Sequence, residues 1–216
     1  MEIDISALEA PIRYKLLTGI VVPRPIAWVS TVDREGVVNL APFSFFNAVS
    51  HTPPAISVSI MHDPERAHGK DTLHNILTTG EFVVNIADET LVQAMNETAT
   101  NYPADVDEFA VAGLTALPAI KVRAPRVKEA PVSMECRLYA LLPIGPVNGG
   151  STLVIGEVVF LHARDGLIDE RARVVLQKLR PIGRLAGSDY TYVHETFAID
   201  RKQYDPVTGE IRPIQR

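Results

Sequence analysis

The sequence of 216 residues contains one cysteine, Cys136, which excludes an internal disulfide bond. Cysteine this scarce is typical of a reducing compartment, so we expect a cytoplasmic protein. Cys136 lies in the β-like run VSMECRLYALL, where a buried structural thiol is the expected role. The alternative, a reactive thiol, needs an activating neighbour that this run does not offer.

Long apolar runs and an excess of basic residues are also missing. No stretch approaches the roughly 20 apolar residues that span a bilayer, so no membrane partner is predicted. The N-terminal residues MEIDISALEAP have neither a basic nor an apolar segment, so no signal peptide is expected. The net charge of −5 argues against non-specific nucleic-acid binding, although a local basic pocket for a phosphate remains compatible with it.

Several catalytic motifs are absent as well. There is no G-x-S-x-G elbow for a nucleophilic serine, and no G-x-G-x-x-G after a strand for a Rossmann nicotinamide site. His62, His68 and His74 are spaced six residues apart, which is neither the paired spacing of a zinc helix nor a closed ligand set. We therefore predict no metal site and no catalytic side chain.

The most informative stretch runs from Pro23 to Asn47 and reads PRPIAWVSTVDREGVVNLAPFSFFN. Its two β-rich runs flank the turn DREG, which predicts a hairpin. Proline cannot donate a ladder hydrogen bond, so we expect pairing to stop near Pro42. Beyond it, two phenylalanines lie beside Ser44 and Asn47. From the residues alone this is either a core hairpin ending in a capped loop or a seat for a flat heterocycle.

The rest of the chain predicts about six or seven strands with short helices inserted. Strands are expected over 55–61, 81–87, 132–144 and 151–164, the last with a bulge near Gly156, and helices over 11–19, 71–80, 89–98, 107–110 and 173–179. Residues 49–52 and 181–187 are predicted as loops, and 190–199 as extended or irregular. Because strands and helices do not alternate, an antiparallel barrel is favoured over a doubly wound sheet. We expect a single domain over 1–216, with a peripheral tail from about residue 200.

A second candidate site is the loop Gly69-Lys70-Asp71-Thr72 at a predicted helix start. Free backbone N–H groups, the positive end of the helix dipole and Lys70 together suit a phosphate. The alternative is that Asp71 or Thr72 only caps the helix.

Ordered motifs along nearly the whole chain resemble the flavin reductase-like FMN-binding split-barrel family, which includes the flavoredoxins. The motifs are PRPIAWVST, NLAPFSFFN, GKDTLHNI, EFVVNIA, DEFAVAGL and APVSMEC. The resemblance covers roughly residues 10–195. It implies a mainly β fold, an antiparallel Greek-key split barrel with short helical additions, and a homodimer with FMN near its interface.

The resemblance also implies a set of cofactor-binding residues. They are Trp28, Ser30, Thr31, Ser44, Phe45, Phe46, Asn47, Lys70, Asp71, Thr72, Arg184 and Tyr190. Ser30 and Thr31 are neighbours on a strand and face opposite ways, so only one can face a given ligand. Trp28 is either core or a wall of the site, and core is favoured. Arg24 is expected at the surface, with phosphate neutralisation as the alternative.

The function implied by the resemblance is hydride transfer from NADH or NADPH to flavin. The cofactor carries such chemistry, and the protein supplies position and electrostatics. The alternative is a flavoredoxin-type FMN electron carrier, without strong NAD(P)H turnover of its own, that exchanges electrons with an acceptor protein. A third alternative is a barrel that has lost its flavin and serves a structural or sensing role.

Overall fold

The structure, a computed structural model, describes residues 1–65, 69–206 and 208–213. His68 lies outside the described residues. The helices are α1 Ala10–Ile20, α2 Asp71–Thr79, α3 Val92–Glu97, α4 Glu108–Val111 and α5 Leu176–Leu179, with 3-10 turns at Ile5–Ala7 and Glu89–Leu91. The strands are β1 Ala27–Val32, β2 Val38–Phe43, β3 Phe46–His51, β4 Pro54–Met61, β5 Glu81–Ile86, β6 Ala116–Leu117, β7 Arg126–Val127, β8 Val132–Ile144, β9 Ser151–Ala163, β10 Ile182–Arg184, β11 Tyr190–Tyr192, β12 Lys202–Tyr204 and β13 Ile211–Pro213.

Seven strands form one antiparallel sheet in the order β2-β1-β5-β8-β9-β4-β3. Its two outermost strands, β2 and β3, are consecutive in the chain and are separated only by the bend at Ser44 and Phe45. Two residues cannot cross an open sheet of this width, so the sheet must curl until its edges meet. The N–H of Ser59 in β4 donates to the carbonyl of Phe45 at 2.8 Å and holds the bend in place.

The predicted hairpin of β1 and β2 is present, and its ladder ends near Pro42 as expected. Trp28 pairs with Pro42, and Ala27 pairs with Phe43. Proline is tolerated because β2 lies at the edge of the sheet, where its nitrogen faces no neighbouring strand. The pairing with β1 therefore includes Pro42 and ends at the next residue, Phe43.

Two segments predicted as loops are strands. Residues 49–52 belong partly to β3, which pairs with β4 and is almost fully exposed. Such an edge strand buries no apolar face, so it lacks the alternation by which sequence reveals a strand. Ile182–Arg184 is also a strand, and it pairs with Tyr190–Tyr192. The predicted helix over 71–80 is confirmed, with Gly80 in the left-handed conformation at its end.

The long β8–β9 pair contains two register shifts, one of them opposite Gly156. There Leu138 pairs with Gly156 and Ala140 with Ile155, so Tyr139 is the extra residue. A Cβ on Gly156 would lie 2.3 Å from Cζ of Phe82. The glycine is thus required by the close approach of a buried ring. A bulge is predicted within 151–164 near Gly156, but the extra residue opposite Gly156 is Tyr139 of β8, and the extra residue of β9 itself is Val159.

Both faces of β1 are buried, so its polar side chains are buried as well. Ala27 and Val29 face a core with Phe82 and Ile60, inside the curled sheet. Trp28 faces a second core with Phe109, under the short helices. A strand covered on both faces leaves no side chain facing solvent.

The remaining described features lie at the margins of the sheet. Residues Lys202–Tyr204 and Ile211–Pro213 form an exposed hairpin that pairs only with itself among the described strands. No helix in the described ranges is long and apolar enough to cross a membrane. Cys136 is fully buried, and burial raises the pKa of its thiol far above the ordinary value. The buried structural role predicted for Cys136 is confirmed.

Candidate functional site

Two adjoining cavities open where the β2–β3 bend meets α1 and α2. The smaller has a volume of about 210 Å³ and the larger about 1260 Å³. They share six lining residues, namely Tyr14, Pro42, Ser44, Phe45, Met61 and Ala99. The bend residues Ser44 and Phe45, which the sequence singled out, therefore lie at the junction of one continuous groove.

The smaller cavity contains the loop predicted to suit a phosphate. Lys70, Asp71 and Thr72 all line it. Lys70 is the residue that precedes α2, and its side chain is about one-third exposed. Its Nζ lies 3.3 Å from Oδ1 of Asn101 and 3.9 Å from Oδ2 of Asp63. Neither Asp71 nor Thr72 caps the helix, because Lys70 occupies the N-cap position and no side chain caps it. The capping alternative for these two residues is wrong.

Thr72 instead takes part in a buried polar chain. Nδ2 of Asn39 donates to the hydroxyl of Thr72 at 2.9 Å, and Nδ2 of Asn75 donates to the hydroxyl of Thr31 at 3.0 Å. Asn39 also lines the smaller cavity. The Asn39 bond holds Thr72 against β2, so the position of Thr72 is set by the strand as well as by the helix.

An acidic residue from α4 completes this cavity. Glu108 is buried, and its Oε2 accepts a hydrogen bond from the N–H of Leu40, a donor on the open edge of β2. Burial raises the pKa of Glu108, and the charges of Asp71 and Asp107 raise it further, against the opposing effect of the Leu40 bond. Among the described residues that line the smaller cavity, one is a cation, Lys70, and two carry carboxyl groups, Asp71 and Glu108.

The larger cavity has a different charge pattern. Its lining includes Arg13, Lys15, Arg24 and Arg184, and none of its described lining residues is acidic. Tyr14, Phe45 and Tyr190 supply flat aromatic surface, and the rings of Tyr14 and Phe45 stack with centroids 6.5 Å apart. This space suits a ring system with a negative or electron-rich group.

Arg24 is buried, so the surface position predicted for it is wrong. Its guanidinium donates to the carbonyls of Thr18, Val21 and Leu185, and its Nε donates to Oγ of Ser44 at 3.3 Å. These partners come from the end of α1, the β2–β3 bend and the C-terminal segment. Arg24 therefore holds three walls of the larger cavity together.

Three predicted site residues on β1 line neither cavity. Trp28, Ser30 and Thr31 are all completely buried. The indole N–H of Trp28 donates to Oγ1 of Thr98 at 2.9 Å, as expected of a core residue. Ser30 donates to the carbonyl of Pro125 and also accepts from Nδ2 of Asn85. Their hydrogen-bonding capacity is used inside the protein, so the question of which hydroxyl faces a ligand does not arise.

Two further predicted residues, Phe46 and Asn47, also lie outside both linings. Phe46 packs against the core inside the sheet. Asn47 is exposed on β3, where its Oδ1 accepts from the N–H of Ala48 at 2.9 Å. By contrast, Arg184 and Tyr190 line the larger cavity, and the Arg184 guanidinium lies 4.5 Å from the centre of the Tyr190 ring.

Sequence reasoning missed several lining residues. They are Tyr14, Asn39, Ser59, Met61, Glu108 and the run 98–102. Most come from segments read only as short helix or irregular connection, where nothing local distinguishes a lining residue. Asn39 carried a usable signal, because a polar residue predicted inside a buried hairpin requires a partner. No group of three or more metal-binding side chains occurs among the residues that the structure covers.

The chain is similar to a crystal structure of nitrilotriacetate monooxygenase component B from Bacillus cereus, at 41% identity and a TM-score of 0.87, with 92% of this chain and 98% of that chain covered. It is also similar to the 2-nitrobenzoate 2-nitroreductase NbaA of Pseudomonas fluorescens, at 32% identity and a TM-score of 0.85, with 95% and 98% covered.

A third solved structure identifies the fold. A protein of Shewanella frigidimarina described as having a split barrel domain matches at 24% identity and a TM-score of 0.80, with 93% of this chain and 99% of that chain covered. The antiparallel split barrel with short helices is thus confirmed. Residues 19–181 match the family model of the flavin reductase like domain. The chain therefore belongs to the flavin reductase-like family.

Proposed function

We propose that this protein binds FMN along the two adjoining cavities and acts as an NAD(P)H-dependent, flavin reductase-like oxidoreductase. The observation that carries the proposal is the continuous groove, which joins a small polar cavity at Lys70 to a large aromatic one at Phe45. Membership of the flavin reductase-like family supports it.

The polar cavity fits a phosphate group by the chemistry of its donors. Lys70 supplies a charge, Thr72 a hydroxyl and Asn39 an amide, all in the lining of the same cavity. The first N–H groups of α2 open toward the same end, since helix starts leave backbone donors unpaired. Asp71 and Glu108 oppose an anion, and the raised pKa of Glu108 lessens that opposition while the carboxyl is protonated.

The aromatic cavity fits a flat ring. The bend of Pro42, Ser44 and Phe45 forms one wall, and Tyr14 of α1 forms another. When bound, the flavin supplies the redox chemistry by accepting a hydride from a reduced nicotinamide. The chain's own residues bind and orient the two partners, a proximity effect that needs no acid–base pair. We accordingly assign no catalytic side chain.

We further propose a homodimer, because several large apolar side chains are exposed, and Leu17 and Ile144 among them line the larger cavity. Exposed apolar side chains lie on α1, on β3 and at the far end of the β8–β9 pair, including Leu17, Ile20, Val49, Leu142, Ile144 and Val147. A patch of this kind marks an interaction site more often than a free surface. A second protomer would cover it and close the open side of the larger cavity.

The other expectations stay proposals. We propose one domain over 1–216, with the exposed hairpin beyond residue 200 as a peripheral tail. A cytoplasmic location and an electron-acceptor protein remain predictions from the sequence.

Two measurements test the proposed function. Purified protein should take up FMN stoichiometrically, and it should consume NADH or NADPH continuously when free FMN is added. Stoichiometric FMN without appreciable turnover would support the electron carrier instead. Failure to take up FMN would contradict both the reductase and the electron carrier. It would support the third alternative, a barrel that has lost its flavin.

A further inference from the structure

Two arginines lie side by side at one end of the larger cavity. Arg24 and Arg184 form an antiparallel bridge in which the N–H of each donates to the carbonyl of the other, at 2.9 and 2.8 Å. Residues directly opposite in such a bridge place their side chains on the same face, and like charges there are destabilising. Burial lowers the pKa of Arg24, and the charge of Arg184 lowers it further, which is the sign of this repulsion.

The described residues provide no acid to balance the pair. Among them no ion pair involves Arg24 or Arg184, and the described lining of the larger cavity contains no aspartate or glutamate. This contrasts with a chain that carries a net charge of −5. Partly buried charges of one sign are costly unless a counter-charge reaches them.

Arg184 retains donors for such a counter-charge. An arginine offers five N–H donors, and in the described structure Arg184 uses one toward the hydroxyl of Tyr190 and one toward the carbonyl of Gly187. Arg24, by comparison, spends most of its donors on Thr18, Val21, Leu185 and Ser44. Arg184 is therefore the residue that would contact an anion directly. Arg24 would attract the anion through its charge without contacting it.

The surroundings of the pair indicate what kind of anion fits. Tyr190 lies beside Arg184, in the cavity whose other aromatic residues, Tyr14 and Phe45, are proposed above to hold the flavin ring. A second flat ring can pack on Tyr190 while its charged group reaches the guanidinium. A planar carboxylate matches the fork of an arginine better than a spherical ion does.

We propose that the larger cavity is a binding site for a small aromatic carboxylate, held by Arg184 and by the field of Arg24, beside the place proposed for the flavin ring. The site goes beyond the proposed flavin reductase activity and adds a class of ligand to it. It does not require that activity, since the charge pattern belongs to the protein alone.

The test compares benzoate with benzamide, which has the same shape and no charge, by calorimetric titration of flavin-free and FMN-loaded protein. We expect benzoate to bind about tenfold or more tightly than benzamide in both forms. Arg184→Gln should remove most of this preference, whereas Arg184→Lys should keep part of it. Arg137→Gln removes the same charge at an exposed position outside both cavities and should leave the preference unchanged.

Each other outcome contradicts the proposal. Equal binding of benzoate and benzamide would show that charge is not recognised, and equal displacement by inorganic phosphate would show that the ring adds nothing. Loss of benzoate binding on loading with FMN would assign the arginine pair to the flavin. Because the flavin-free arm needs no cofactor, failure of the proposed function and failure of this site are distinguished. Circular dichroism of each variant confirms that a lost preference is not lost folding.

Discussion

At the scale of single residues, Lys70 is the side chain on which the phosphate assignment depends. Riboflavin has the ring and ribityl chain of FMN but no phosphate, so it isolates the contribution of that group. Lys70→Ala should weaken FMN binding by roughly ten- to a hundredfold, the value of one charge-assisted hydrogen bond, and leave riboflavin binding nearly unchanged. Fluorescence titration with both flavins measures this.

Lys128→Ala is the matched control for that experiment. Lys128 is exposed and lines neither cavity, and its loss changes the net charge equally. If Lys70→Ala weakened both flavins by the same factor, the phosphate would lie elsewhere and the polar cavity would lose its assigned role.

Glu108 adds a pH dependence to the same cavity. A buried carboxyl with a raised pKa is neutral at low pH and gains its charge as the pH rises through that pKa. The new charge faces Lys70, Asp71, Asp107 and Tyr102 and repels an anion, so FMN affinity should fall as the pH rises.

Glu108→Gln should abolish that part of the fall and bind FMN a few-fold more tightly at the upper end of the range. The amide oxygen can still accept from Leu40, which protects the fold. Dissociation constants of wild type and variant between about pH 5 and pH 8 are compared pairwise, since the phosphate titrates identically in both. Parallel curves would show that Glu108 does not titrate beside the ligand.

The ionisation of Glu108 also affects stability, with a defined sign. Its folded pKa lies above the unfolded value, so the folded state binds more protons than the unfolded state between the two. The free energy of unfolding should therefore decline as the pH rises through that window, and the decline should be absent in Glu108→Gln.

At the scale of elements, β9 can lie close to Phe82 of β5 because residue 156 is a glycine and has no side chain. A Cβ at Gly156 would meet Phe82 at 2.3 Å and Cys136 at 3.3 Å. Phe82 is buried and cannot swing away, so Gly156→Ala should lower the free energy of unfolding by about 1–3 kcal/mol. Urea denaturation gives the value.

Gly19→Ala serves as the comparison for Gly156→Ala. A Cβ at Gly19 would lie 3.9 Å from the nearest side chain, an ordinary contact, and the position is helical. Alanine there should be neutral or stabilise by up to about 1 kcal/mol. Equal effects of the two substitutions would mean that β9 can move away from Phe82.

The elements also show what sequence could and could not reveal. Strands β4, β5, β8 and β9 were predictable because each contributes apolar residues to a core, and α2 because Gly80 marks its end. Strand β3 was not, because an exposed edge has no apolar alternation. The burial of Ser30 and Thr31 could not be predicted from the sequence either, because their hydrogen-bond partners Pro125 and Asn75 lie 95 and 44 residues away in the chain.

At the scale of the whole molecule, the exposed apolar surface predicts self-association. Sedimentation at micromolar concentration should give the mass of a dimer, about twice 23.7 kDa. Leu142→Glu, on the exposed end of β8, should shift the protein toward monomer by burying an unpaired charge. Tyr204→Glu lies on the peripheral hairpin and should not. A monomer with fully bound FMN would contradict the dimer.

The charge distribution of the whole molecule makes the two cavities of the groove electrostatically different. An acidic protein places four of its cations, Arg13, Lys15, Arg24 and Arg184, around the larger cavity, whereas the described lining of the smaller cavity combines Lys70 with two acids. Electrostatic steering should therefore draw anionic ligands such as nicotinamide dinucleotides toward the larger opening.

The central claim, hydride transfer from a nicotinamide to flavin held by this protein, is tested most directly by anaerobic mixing. FMN-loaded protein is combined with one equivalent of NADH or NADPH, and the absorbance of oxidised flavin is followed over time. We predict complete loss of that absorbance with at least one nicotinamide, much faster than with free FMN at the same concentration. Absorbance unchanged by either nicotinamide, in protein shown to hold FMN, would contradict the claim.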